Sequence, residues 1–569
     1  MNGEIAAMLG ELAVLYDITG VPFKPRAFER ASEAIKCLGL DVRDIYEDGG
    51  IEALERIPGV GKGIADRIEE YLRKGRIAEL MRMKKALPVD ILGITAIEGI
   101  GPKTLATLYR SLKIRTIAQL EKAARAGKLA SVRGIGVRGQ ERILRALRYL
   151  QRSGGRALPG LLWPQIRSVA DTISSWPHVK QVEVVGSFRR MQETIGDIDL
   201  LAVSRDTDDT LRRFAALPQV RSVYKHGRHN VLVRLRSDID ADLWVVPEES
   251  YGAACIAWTG DKAHNIRLRS IAKKKRCLLD DFGLFKGTRM IAGATERDVY
   301  RALGMEWIPP ELRRDDGEIE AALEHRIPKL IGYEDVRGDL QVQSDWSDGE
   351  QSILKLARAA EAVGLEYIAI TDHTKSLTIA HGLDAKRLRK QWAEIDRVQK
   401  LVPRVKLLKG SECDIKKDGS LDLDDATLAA LDVVGISVHS AMDLPLRAQT
   451  ERIIRAMEHP QAHILFHPTG RLLGRRAPYP VDMRAIIAAA KRTKTVLEVN
   501  ADPHRLDLMG EHVRMALEAG VRLAINTDAH HGDQFVNLRW GIGQARRGWA
   551  RAGDVVNTRR WRDMLKLLK

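Results

Sequence analysis

Gly186-Ser187-Phe188-Arg189-Arg190, followed by Gly196-Asp197-Ile198-Asp199-Leu200, reads as a turn carrying a hydroxyl and two guanidiniums, leading into a strand. Side chains alternate along a strand, so Asp197 and Asp199 share one face while Ile198 and Leu200 take the other. Around this pair, VEVVGS (182–187), DIDLLAVS (197–204), NVLVRLR (230–236) and IDADLWVV (239–246) repeat at period two and predict strands. In the last, Ile239, Ala241, Leu243 and Val245 form one face, and Asp240, Asp242 and Trp244 the other. An isolated Asp-x-Asp is more often a solvated strand edge than a metal site. Here the phosphate-friendly turn and a third carboxylate on a neighbouring strand change that reading. The set suits two Mg²⁺ or Mn²⁺ ions roughly 4 Å apart, which activate a 3′-hydroxyl and stabilise a leaving pyrophosphate.

Upstream, residues 1–155 are helical in pattern, and three segments resemble one another: IPGVGKGIADRI (57–68), EGIGPKTLATLY (98–109) and VRGIGVRGQERIL (132–144). Each is an apolar residue, a Gly-x-Gly turn and an amphipathic stretch. Such a turn presents backbone N–H groups and the positive end of a helix to a phosphate, and glycine supplies the positive φ. Gly59, Gly61 and Gly63, Gly99 and Gly101 with Lys103, and Gly134 with Gly136 are the candidate DNA contacts. The segments look like helix–hairpin–helix motifs, which hold the DNA backbone without reading bases. Gly134, Gly136 and Gly139 also fit a dinucleotide fingerprint, but no βαβ unit surrounds them.

Composition agrees with this reading. The 569 residues, 44% hydrophobic and 30% charged, exclude wholesale disorder and imply several domains. Lys+Arg 92 against Asp+Glu 76 leaves +16, favouring a polyanionic partner, nucleic acid ahead of an acidic membrane. Cys37, Cys255, Cys277 and Cys413 form no CxxC pair and read as small core residues in a reducing compartment. Glu4 and Glu11 stand where a signal peptide would be basic, and no apolar run is long enough to span a membrane. A soluble, cytoplasmic monomer without membrane contact is expected.

After about residue 336, apolar runs alternate with helical stretches: YIAITDH (367–373), VKLLKGSE (405–412), LDVVGISVHS (431–440), HILFHP (463–468), TVLEVN (495–500) and RLAINTDAH (522–530). Each carries His, Asp, Glu or Asn near its C-terminal end, as a β/α barrel builds its active face. Ten of the 15 histidines lie beyond residue 370.

The motifs GSFRR, GDID, DLWVV and TGDKAHNIRLR, continuing through DDFGLFKG and ERDVYRALGMEWIPPELR, resemble a family-X DNA polymerase over residues 1–316. Residues 336–569 resemble the PHP (polymerase and histidinol phosphatase) domain of many bacterial members. The resemblance implies a multidomain α/β chain: a helix–hairpin–helix domain at 1–85, a second at 86–155, and a nucleotidyltransferase palm of α+β type at 156–247. A helical thumb at 248–316, a linker at 317–335 and a distorted β/α barrel at 336–569 follow. It implies palm metal ligands at Asp197, Asp199 and Asp242, and triphosphate contacts from Gly186, Ser187, Arg190 and Gly196. Trp258, Gly260 and Asn265 would meet the incoming nucleotide and Arg269 the template strand. In the barrel it implies up to three metals, Zn²⁺ or Mn²⁺, at Gln341, Gln343, Asp348, His373, Glu412, His439, His467, Asp528 and His530. Gapped or primer-template DNA and dNTPs are the implied partners, and short-gap repair synthesis with a metal-dependent 3′→5′ exonuclease the implied activities. Two other classes stay open: a DNA-binding scaffold, and a nuclease whose polymerase half only binds substrate.

Several positions depart from the family. Gln341 and Gln343 replace a His-x-His, and a carboxamide is a poorer metal ligand than imidazole. Ala257-Trp258 stands for Tyr-Phe, Asp261 for Ser, and Trp244 for Arg, so an altered nucleotide pocket is expected. Where some members carry a Schiff-base lysine for removing 5′-deoxyribose phosphate, this chain has Arg67. A guanidinium stays protonated and cannot form that adduct. Borohydride treatment on a 5′-incised abasic duplex should therefore trap no covalent complex; a trapped complex, through Lys62 for example, would show that lyase chemistry is retained.

Overall fold

The computed structural model describes residues 2–568 except 37, 39, 40, 96, 98, 99, 154 and 155. Cys37 and Gly99 thus lie outside the described residues. The chain divides into two compact units, Met1–Gly154 with Gly474–Ala477, and Gly155–Leu473 with Pro478–Lys569.

The first unit is helical. Its helices include Asn2–Thr19, Lys24–Lys36, Lys62–Lys74, Pro102–Leu112 and Gly136–Ser153. Leu9, Leu12, Leu15, Phe28, Ile64, Leu105 and Leu108 pack in one apolar core. The glycine turns sit where the sequence pattern put them. Gly61 and Gly101 are extended N-cap residues of Lys62–Lys74 and Pro102–Leu112, the latter with proline in its first turn. Gly59 and Gly134, at φ +85° and +88°, turn the chain through the left-handed region that side chains avoid.

In the second unit, a five-stranded sheet runs in the order β1-β2-β5-β4-β3. The strands are β1 (Val179–Val184), β2 (Asp197–Ser204), β3 (Val220–His226), β4 (Asn230–Leu235) and β5 (Asp240–Val246). The apolar face of alternation becomes the core: Ile198, Leu200, Ala241, Leu243 and Val245 are buried with Phe214, Ile166 and Ile173. Next come helices Tyr251–Thr259, Lys262–Lys274 and Glu296–Ala302, with a small sheet of β6 (Leu278–Leu279), β7 (Leu284–Lys286) and β8 (Arg289–Ala292). A buried ion cluster joins these helices to the palm. Glu296 accepts from Arg189 at 2.7 Å and from Arg313 at 2.8 Å. Burial alone would raise its carboxyl, but Arg313 and Arg189 hold it well below the usual carboxylate range.

Residues 317–335 connect to the barrel as packed structure. Glu318 and Ile319 are fully buried, and Glu318 pairs with the buried His264 at 2.7 Å. Tyr333 donates to Glu311 at 3.0 Å, and Arg546 from the barrel meets the same carboxylate at 2.6 Å.

The barrel is seven parallel strands ordered β15-β14-β13-β12-β11-β10-β9. They are β9 (Gly338–Val342), β10 (Tyr367–Ile370), β11 (Lys406–Asp414), β12 (Val433–Ser437), β13 (Ile464–Leu465), β14 (Val496–Asn500) and β15 (Leu523–Asn526). A parallel bridge between Val342 and Ala529 draws its edges together. Strands buried on both faces explain the continuous apolar runs of the sequence. Cys255 and Cys413 are buried and Cys277 is half-buried. Among the described residues, no helix is long and apolar enough to cross a membrane.

Candidate functional site

The palm carboxylates come together through register. β2 and β5 are parallel neighbours that pair Asp197 with Asp240 and Asp199 with Asp242. Asp197 is exposed and Asp199 half-buried. The carboxyl of Asp199 is pushed up to about 7 by burial and by the charges of Asp197 and Asp242, with Arg190 opposing. Asp242 also lies above its ordinary value through burial, while its two oxygens are each held: Oδ1 accepts from Asn230 at 3.2 Å and Oδ2 from the Trp244 indole at 2.8 Å. Sequence reasoning named Trp244 as a departure and missed Asn230; together they fix the carboxylate that the pattern identified.

The turn before β2 is the short helix Gly186–Arg189. Gly186, at φ +65°, could carry no side chain, because a Cβ would sit 1.8 Å from Asp199 Oδ2. Ser187 is the second residue of that helix, Gly196 is exposed just ahead of β2, and the half-buried Arg190 donates to the Thr259 carbonyl beside Gly260. Arg189, by contrast, is committed to Glu296 and Thr259, so only one of the two guanidiniums faces the carboxylates. Asp261 N-caps the next helix, accepting from Ala263 N and His264 N at 3.0 and 3.2 Å, which accounts for an acidic residue there. Trp258 stacks on Trp244 with centroids 3.8 Å apart, and Asn265 donates to the Ala257 carbonyl at 2.8 Å. Trp258 Nε1 and Asn265 Oδ1 are buried without a protein partner. Arg269 is exposed and pairs with Asp281 at 3.2 Å.

The turn is held from beneath by the barrel. Helix Leu538–Arg547 sends Gln544 Nε2 to the Met191 carbonyl at 2.8 Å and Arg547 Nη1 to the Arg190 carbonyl at 3.0 Å. Arg471 pairs with Glu193 at 3.1 Å, and Trp540 meets Phe188 edge-on at 5.8 Å. Nothing in the sequence pattern pointed to these barrel residues.

In the helical unit, Arg67 lies against Glu79, which also accepts from Tyr16 at 2.6 Å. Gly63 is the second residue of the helix that carries Arg67, while Lys103 is largely exposed near Glu29.

At the barrel's C-terminal strand ends, the expected ligands form two groups. Asp348 Oδ2 lies 3.6 Å from His373 Nε2 and 3.7 Å from His530 Nε2. These spans are too long for hydrogen bonds, yet fit ligands sharing one ion whose bonds are about 2 Å. His530 Nδ1 is fixed on the Asp528 carbonyl at 2.8 Å, leaving Nε2 towards Asp348. In the second group, Glu412 Oε1 meets His467 Nε2 at 2.8 Å and His439 Nε2 at 3.1 Å, and Asp414 lies 3.3 Å from His439 Nδ1. His467 and Asp528 both have positive φ, +28° and +57°, a conformation uncommon outside glycine and frequent where side chains are aimed at a site. Gln341 and Gln343 point their amides at Glu412, and Asp528 pairs with Arg505 at 3.1 Å, a residue the sequence reading missed.

Comparison with known proteins matches residues 1–77 to a helix-hairpin-helix domain, 91–148 to a SAM-like helix-hairpin-helix tandem and 254–314 to a DNA polymerase beta thumb. The chain is 34% identical over 571 residues to the DNA polymerase/3′-5′ exonuclease PolX of Bacillus subtilis (strain 168), covering 100% of this chain and 99% of that one. DNA polymerase lambda of Arabidopsis thaliana is 23% identical over 359 residues, 55% of this chain and 62% of that one. A probable phosphatase of Thermoanaerobacter sp. (strain X514) is 29% identical over 191 residues, 32% of this chain and 72% of that one.

The raised carboxyl of Asp199 has a consequence for stability. Its folded value lies above the unfolded one, so its contribution is intact below about pH 4 and is lost as pH rises towards 7. Asp199→Asn should therefore raise the melting temperature of the metal-free chain at pH 8, by on the order of 3 kcal/mol of stability, and leave it unchanged near pH 4. Thermal melts in EDTA at the two pH values check this; no gain at pH 8 would show that the carboxyl is not strained.

Proposed function

The chain belongs to family X of the DNA polymerases, in the bacterial form with a C-terminal PHP domain, and we propose that Asp197, Asp199 and Asp242 carry its nucleotidyl transfer from dNTP to a primer 3′-hydroxyl in short DNA gaps. One observation carries this assignment: three carboxylates meet on neighbouring strands, and Asp199 is so poorly compensated by the protein that its proton is retained to about pH 7. That is the donor set two divalent cations fit. Mg²⁺ or Mn²⁺ bound there would supply charge neutralisation for the triphosphate and acidity for the attacking hydroxyl.

The chain's own groups divide the remaining work. Arg190 and the N–H groups of the turn at Gly186 and Ser187 orient phosphate oxygens, with Gly196 and Gly260 leaving room for them. Asp242, held by Asn230 and Trp244, orients the primer hydroxyl and takes its proton. Trp258 and Asn265 face the base and sugar, and Arg269 exchanges Asp281 for the template strand. The glycine turns at Gly59, Gly61 and Gly63, at Gly101 with Lys103, and at Gly134 and Gly136 hold the DNA backbone; Gly99 is assigned with them on sequence alone. We read the molecule as a cytoplasmic monomer acting on DNA, away from membranes.

The two histidine groups support a second activity, metal-dependent 3′→5′ removal of nucleotides. Asp348, His373 and His530 form one ligand set, and Glu412, His439 and His467 the other. Zn²⁺ or Mn²⁺ held there would supply Lewis acidity at a phosphodiester. Asp528 orients His530 through its carbonyl.

A 5′-labelled primer in a gapped duplex with Mn²⁺ tests both activities. Extension should require dNTPs and be abolished, at least a thousand-fold by the scale of lost charge stabilisation, in Asp199→Ala with DNA affinity retained. Shortening without dNTPs should be lost in His530→Ala. A primer unchanged in both lanes would favour the scaffold reading, and extension surviving in Asp199→Ala would refute the palm assignment. Ala257 leaves the sugar side of the pocket without a large side chain, so Ala257→Tyr should raise discrimination of dNTP over rNTP, measured as the ratio of kcat/KM values. Equal ratios in the two proteins would remove Ala257 from sugar selection.

A further inference from the structure

The buried Glu412 presents different chemistry on its two oxygens. Oε1 faces imidazole nitrogens of His467 and His439 at 2.8 and 3.1 Å. Oε2 instead accepts from Gln343 Nε2 at 2.8 Å and Gln341 Nε2 at 2.9 Å. A carboxylate oxygen that accepts two amide N–H groups has little left for a cation, and a carboxamide turned this way offers donors where imidazole would offer a lone pair.

The opposite wall is closed by the same kind of bonding. Asn500 Nδ2 donates to Gln341 Oε1 at 3.2 Å and to Asp528 Oδ2 at 3.3 Å. Arg505 Nε lies 3.1 Å from that same Asp528 oxygen, with only 16% of its side chain exposed. A guanidinium stays protonated even when removed from water, so Arg505 brings a fixed positive charge to this corner. Its placement is built into the fold: Arg471 donates to the Arg505 carbonyl at 2.8 Å, and the loop closes by Asn500 N to Asp507 O at 2.6 Å. A permanent positive charge 3.1 Å from the buried Asp528 carboxylate does what a metal would do there electrostatically, and repels a divalent ion from the same space.

We propose that Arg505, with the amides of Gln341, Gln343 and Asn500, takes the place of one cation of the PHP centre. The barrel then holds two metal ions and not three, one at Asp348, His373 and His530 and one at Glu412, His439 and His467. This rests on the reading of the barrel as a metal centre. Two groups in the corner lack a protein partner among the described residues, Gln343 Oε1 and His373 Nδ1, the latter 3.7 Å from Glu412 Oε2. With His373 Nε2 turned to Asp348 its Nδ1 carries the ring proton, and the single neutral oxygen left does not offset the adjoining guanidinium.

Metal content tests it without reference to activity. The full chain, carrying Asp197→Asn and Asp199→Asn so that the palm does not contribute, is equilibrated with Mn²⁺, desalted and analysed by inductively coupled plasma mass spectrometry. Two ions per chain are expected. In the same background, Gln341→His with Gln343→His and Arg505→Ala should hold three. Three in the parent chain would overturn the substitution of arginine for metal and leave the metal centre standing. None would overturn the metal centre itself, and one would overturn the two-site count. A triple variant that melts like the parent yet still holds two would overturn the assignment of exclusion to these residues. The parent count decides the main point even where the triple variant does not fold.

Discussion

Carboxylates removed from water must find positive charge, and the second unit of this protein meets that constraint in three ways. In the thumb, Arg313 and Arg189 satisfy Glu296 completely, and the carboxylate is structural. In the barrel, imidazoles, amides and Arg505 surround Glu412 and Asp528, leaving two openings of metal-ligand character. In the palm the protein withholds compensation, and Asp199 keeps its proton up to about pH 7. Where the fold supplies too little charge, a cation is needed for the ionised state. Arg190, which opposes the rise, is engaged with the Thr259 carbonyl and does not neutralise Asp199 outright.

Much of this was legible in the sequence, because its periodicities are tied to burial. Period-two alternation in 197–204 and 239–246 put Ile198, Leu200, Leu243 and Val245 in the core and the aspartates on the other face, and the sheet has that arrangement. In the barrel, strands buried on both faces are mostly apolar, so His373, Glu412, His467 and Asp528 at or just beyond their C-terminal ends stood out. What stayed hidden are contacts made by residues whose own segments carry no signal. Arg505 sits in a loop after a strand, and an arginine in a loop reads as solvated. Asn230 begins β4 and reaches Asp242 only through the β4–β5 pairing. Residues 317–335 look like a connector by composition, and nothing in their charge pattern reveals that Glu318 is buried on His264.

The least legible feature bears most on how the barrel relates to the polymerase. Gln544 and Arg547 lie on the barrel, yet their side chains end on the carbonyls of Met191 and Arg190, within the turn proposed to hold triphosphate. Gly543 lies so close that a Cβ would meet Met191 at 2.8 Å. Arg471 bridges the same turn, at Glu193, to the carbonyls of Arg505 and Leu506, which hold Arg505 on Asp528. Each bond is between buried or half-buried groups, where losing one partner strands the other. Deleting residues 336–569 would therefore remove the floor of the nucleotide turn together with the histidine centre. Loss of extension in such a truncation would not identify the barrel as catalytic in synthesis, nor would it make the polymerase half a passive binder. Point substitutions that leave helix Leu538–Arg547 intact separate chemistry from support, and on this geometry the barrel supports the polymerase whether or not it cuts DNA.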